Sequence, residues 1–142
     1  QLYYNISRLH RYASSSEDVI FDRAPVDYLA YSQYTADCGT TDIDDAFVES
    51  MVPAVRESLD HLDILAFVPC SEQWPVAMEE DGIRPVDRSY RDAVDAIFKQ
   101  IYREGRFGVM PGQNAPRLIE LCGSREQRLE QLASAIADLG AA

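Results

Sequence analysis

The sequence predicts an α/β domain, a three-layer parallel sheet flanked by helices, and three observations lead there. Short β-branched and aromatic runs, "VIF" at 19–21, "LDILAFVP" and "RLIELCG", alternate with segments of helical period. The middle run is apolar on both faces, the pattern of a strand buried in a parallel sheet. The helical segments between the runs are long enough for right-handed crossovers.

Taken in order, residues 1–12 place Leu2, Tyr3, Ile6 and Leu9 at close to helical spacing, and no capping residue precedes them. "SSSED" is a polar break before the strand "VIF". Pro25 suits a first helical turn, and Val26, Leu29, Ala30 and Gln33 continue one face until Gly39. Ile43, Phe47, Met51, Val52, Val55 and Leu59 share a face of the next helix. Thr41 or Asp42 is its cap, and Pro53 predicts a kink or break.

After the second strand, "CSEQWPVAMEEDGIRPV" has no period and predicts a long mobile loop. Asp87 then caps a strong helix with Tyr90, Val94, Ile97, Phe98 and Ile101 inside, and Gly105 lies past its end. "MPGQNAP" is a turn before the third strand. Ser124 and Gln127 form a capping box for a last helix carrying Leu129, Leu132, Ile136 and Leu139.

With 142 residues the chain can bury one substantial core, so one α/β domain over 1–142 is expected. A formal net charge of −11 opposes non-specific nucleic-acid binding, and any small anionic ligand needs a local patch of Arg. Cys38, Cys70 and Cys122 form no C-x-x-C pair and have only His10 and His61 as companions, which predicts no zinc site and a reducing, cytoplasmic setting. Both histidines read as surface or satisfied residues. No apolar run has the length of a membrane span.

Ligands of open parallel sheets bind beyond the carboxyl ends of the strands, so the residues ending each run come first. They are Asp22 with Arg23, Pro69 with Cys70, and Cys122 with Gly123 and Ser124. An Asp there can hold Mg²⁺ directly or through water, or accept a hydroxyl proton, while Arg forks onto phosphate oxygens. The competing reading is an ion pair or helix cap ahead of Pro25. Arg88 with Asp92, and Arg91 with Asp87 or Asp95, have the spacing of ordinary helix-surface pairs, whereas Arg84 follows "DG" without such a partner. Tyr28, Tyr31 and Tyr34 recur every three residues, more in the manner of core or groove lining than of a stacking platform for a base.

The ordered set "FDRAPVDYLAY", "ILAFVP", "EEDGIRPVDRSYRDAVD" and "IELCGSREQRLEQL" resembles P-loop NTPases related to small-molecule kinases. It is similar to AAA-like ATP-binding domains such as the nicotinamide riboside kinase domain of NadR-type proteins, and more distantly to nucleoside and nucleotide kinases. The resemblance implies ATP as phosphoryl donor, Mg²⁺, and a small nucleoside-like acceptor. It implies Asp22 as the magnesium-linked or proton-accepting carboxylate and Arg23 as the contact to the acceptor. Arg84 would be the lid arginine, and Arg84, Arg88, Gly123 and Ser124 would meet the nucleotide.

No G-x-x-x-x-G-K-[ST] is present. The expectation is therefore that the phosphate-binding segment precedes Gln1 and that the sheet has an exposed edge, covered by a homo-oligomer or another partner. A nucleotide-responsive module without turnover, and a purely structural α/β module, are the alternatives.

Overall fold

The computed structural model describes residues 1–15, 17–74 and 87–140. Five helices arise where the sequence sets one apolar face: α1 (Leu2–Ala13), α2 (Val26–Cys38), α3 (Asp45–Leu59), α4 (Arg88–Arg103) and α5 (Arg125–Gly140). Their ends are chemically marked. Asp87 accepts the Ser89 amide at 2.8 Å to start α4, and Ser124 with Gln127 closes the expected capping box at α5. For α3 the cap is Asp44, whose Oδ1 accepts the Phe47 amide at 2.8 Å, two or three residues later than expected, and Thr41 is engaged with the Ile43 amide. Val48, Val52, Val55 and Leu59 are buried, whereas Phe47 is 47% exposed.

Pro53 does not break α3, contrary to expectation. It lies on the exposed side of a helix that runs unbroken from Asp45 to Leu59, with the buried valines on the other side holding it in place.

The larger correction concerns fold class. In place of a three-layer parallel sheet, the described residues form a mainly helical body with one two-stranded parallel sheet, β1 (Ile64–Phe67) and β2 (Arg117–Glu120). The pair runs in register from Ile64 opposite Arg117 to Phe67 opposite Glu120. Residues 19–21 form no strand: three β-prone residues have no neighbouring backbone to pair with, and Ile20 is 81% exposed. Nor is β1 buried on both faces. Leu65 and Phe67 are buried while Ala66 between them is exposed, because α5 covers the strand loosely. Only Ala135 of α5 is buried, and Leu129, Ile136 and Leu139 remain exposed.

The core lies between α2, α3 and α4. Val26, Leu29 and Ala30 meet Val48, Val55 and Leu59, and Ile97 and Ile101 close the cluster over Leu65 and Val109. Each such side chain taken from water contributes about 1.5 to 3 kcal/mol, so this helical layer carries the stability. Leu2 and Ile6 attach α1 to it. Buried Gln33 donates to both Asp37 and Asp45, tying the end of α2 to the start of α3.

A second fastening lies beyond α4, where Gly105, Phe107 and Gly108 all have positive φ. The Arg56 guanidinium holds this turn by donating to the carbonyls of Gly108 at 2.8 Å and Phe107 at 3.2 Å. It steers the chain back toward β2.

Candidate functional site

The helices pack to one side of β1, and its other side opens into a cleft of about 3130 Å³. Segment 17–24 forms one wall, with β1 and its exit at 68–72 as the floor, while the first turns of α4 and the apolar side of α5 complete it. The opening is wider than a closed small-molecule pocket of several hundred Å³, so it is an open groove.

Asp22 and Arg23 both line this groove, but not as a pair. Arg23 has φ 76°, a left-handed conformation that costs a non-glycine residue about 1 to 2 kcal/mol. The turn sends its guanidinium onto α2, where Nη1 lies 3.1 Å from Asp27 Oδ2 and 3.3 Å from the Tyr31 hydroxyl, over the Tyr31 ring. The ion pair is therefore Arg23 with Asp27. Asp22 is not the cap of α2 either, since Pro25 occupies that position. It stays exposed on the groove wall, and its charge adds slightly to the environment of Asp27. Burial pushes the Asp27 carboxyl above its usual range, with Arg23 opposing that shift.

Arg88 begins α4 and pairs with Asp92 at 3.6 Å, the spacing expected of a surface pair. Arg91 turns to Asp92 as well, at 3.2 Å, rather than to Asp87 or Asp95. Two guanidinium groups thus share one carboxylate. Arg84 lies outside the described residues.

Gly123 lines the groove at φ 99°, and a Cβ there would sit 2.3 Å from Gln127 Oε1, so glycine is required. Ser124 is occupied as a cap: its hydroxyl donates to Glu126 and accepts from the Gln127 amide. Gln131 pins the strand exit, accepting from the Cys122 amide and donating to its carbonyl, both at 3.0 Å.

Two features escaped sequence reasoning. Asp95, buried in α4, accepts the Cys70 amide at 2.8 Å and pairs with Lys99, so it fixes the end of β1. The i, i+4 spacing of Asp95 and Lys99 was visible, but nothing in the sequence ties them to Cys70. Burial, then the Asp95 charge, pushes the Cys70 thiol up, which disfavours thiolate chemistry. Second, His10 and His61 are not isolated surface residues, for their rings meet edge-on at 4.4 Å, and His10 Nε2 is buried without a hydrogen-bond partner among the described residues. The tyrosine strip divides between the two places expected of it: Tyr28 and Tyr34 pack against the core, and Tyr31 lines the groove.

Asp22 offers a metal one carboxylate, and among the described residues no group of three His, Cys, Asp or Glu side chains converges on a common point.

No family model, no curated protein and no solved structure matches the chain. Among the described residues, no helix is long and apolar enough to cross a membrane.

Proposed function

We propose that this groove is the acceptor and magnesium side of an ATP-dependent phosphoryl-transfer site for a small hydroxyl compound of nucleoside type, acting in the cytoplasm. The observation that carries the reading is that Asp22, Arg23, Arg88, Arg91 and Gly123 line one groove at the exit of a parallel strand pair. The motif resemblance to AAA-like ATP-binding domains of the P-loop NTPase type supports it, without the three-layer sheet. Asp22 is free of α2, so it can accept the acceptor hydroxyl's proton as that oxygen attacks the terminal phosphorus. Arg23, held by Asp27 and Tyr31, orients the acceptor. Arg88 and Arg91, which share Asp92, receive phosphate oxygens. Bound Mg-ATP would supply the transferred phosphoryl group and neutralise its charge.

The test measures thermal unfolding with and without Mg-ATP, alongside ADP release in the presence of candidate nucleosides. Protection together with turnover that Asp22→Ala reduces about a hundredfold or more supports the reading. Absence of both protection and turnover overturns it.

A specific observation favours a second reading, nucleotide binding without turnover. Four of the groove's five cations are already paired, Arg23 to Asp27, Lys99 to Asp95, and Arg88 and Arg91 to Asp92. An arriving anion would exchange these pairs and so signal its presence. Protection by Mg-ATP with no ADP release identifies this case.

A further inference from the structure

Among the described residues, β1 has a hydrogen-bonded neighbour on one side only. The Asp63 and Phe67 carbonyls accept from Arg117 and Leu121, so Asp63, Leu65 and Phe67 present their backbone groups to β2. By strand alternation, Ile64, Ala66 and Val68 present theirs to the groove. The groove is apolar along this edge. Ile20, Val68, Ile136 and Leu139 line it and are 38% or more exposed, a surface an isolated domain normally covers.

Charge is unevenly placed along the groove. Where β1 begins, Asp60 and Asp63 line it, Glu17 and Asp18 of the wall segment are acidic as well, and none of the groove-lining Lys or Arg residues comes from these two segments. At the end where β1 and β2 finish stand all five of its cations, Arg23, Arg88, Arg91, Lys99 and Arg128. Five acids, Asp22, Asp27, Glu72, Asp92 and Asp95, are mixed among them, so this end is balanced. An extended chain lying along the free edge therefore meets an acidic end and a charge-balanced end.

We propose that the free edge of β1 accepts an extended apolar segment of a partner polypeptide by strand addition, with cationic residues at the acidic end. Backbone hydrogen bonds to Ile64, Ala66 and Val68 supply the pairing, and the acidic end selects the segment. This occupant is independent of the nucleotide reading, because it rests on the strand edge and on Asp18, Asp60 and Asp63, none of which that reading uses.

The test titrates the protein with capped, dye-labelled nine-residue peptides: Lys-Lys or Glu-Glu at one end, Glu-Glu at the other, and a Val/Ile centre. The Lys-Lys/Glu-Glu peptide is expected to bind about tenfold or more tighter than the doubly acidic one. Two prolines in the centre should abolish binding. The Asp18→Lys/Asp60→Lys/Asp63→Lys variant, its fold checked by circular dichroism, should reverse the preference. Equal affinity for both charge patterns, binding that survives the prolines, or no binding overturns the proposal. So does a concentration-dependent dimer in sedimentation that Ala66→Pro abolishes, since a second copy would then be the occupant.

Discussion

Arg23 combines a strained backbone with side-chain contacts that hold it in place. The left-handed φ of 76° costs about 1 to 2 kcal/mol, and the guanidinium offsets this through Asp27 and Tyr31. Asp27 is the sensitive partner, because burial raises its pKa and Arg23 restrains the rise. Replacing Arg23→Gln should therefore raise the Asp27 pKa further, read from its carboxyl carbon shift in an NMR titration. The stability consequence has a definite sign. A carboxyl whose folded pKa is raised contributes fully below its unfolded pKa and loses that contribution as pH rises through the folded value. The destabilisation caused by Arg23→Gln should thus be largest at neutral pH and shrink toward zero below about pH 4. A difference in melting temperature that stays constant across that window would mean that Arg23 acts through packing on Tyr31 instead.

At the scale of elements, what the sequence made legible was what repeats locally. All five helices follow from their periodicity, and Asp87, Ser124 with Gln127, and Gly39 mark ends as expected. The strands were half legible. Composition identified β1 and β2 and their parallel sense, but whether "VIF" becomes a strand depends on a neighbour, and neighbours are not encoded within three residues. The candidate site follows the same division. Asp22, Arg23, Arg88 and Gly123 do line one groove, while the Arg23 to Asp27 pair, the Asp95 clamp on Cys70 and the contact between His10 and His61 depend on packing between elements distant in sequence. Pro53 gives a test of the element that behaved least as expected. It removes one backbone hydrogen bond from the middle of α3, a cost near 3 kcal/mol in a helix interior, and its exposed ring contributes little packing. Pro53→Ala should raise stability by about 1 to 3 kcal/mol, seen as a melting temperature higher by roughly 3 to 12 °C. A lower melting temperature would show that the proline's restriction of the unfolded chain matters more than the missing bond.

Over the whole molecule, 24 acidic residues face 13 Lys and Arg, so the compact state works against its own charge. Salt has two opposing effects on such a protein. It weakens ion pairs such as Arg103 with Glu120 and Arg117 with Asp138, both at 2.8 Å, and it screens the repulsion among the excess carboxylates. Magnitude decides between them. The pairs lie at the surface, where each contributes about 0 to 1 kcal/mol. The repulsion involves every acid within a Debye length of another, about 10 Å at 0.1 M salt, and it is concentrated where Glu17, Asp18, Asp60 and Asp63 line the groove. Raising NaCl from 10 mM to 0.5 M should therefore increase the melting temperature by several degrees. Most of that gain should disappear in the Asp18→Asn/Asp60→Asn/Asp63→Asn variant, which should itself be more stable than the parent at low salt. A melting temperature that falls with salt would place the balance with the ion pairs. A rise of equal size in the variant would spread the repulsion over the whole surface, leaving the groove with no special share of it.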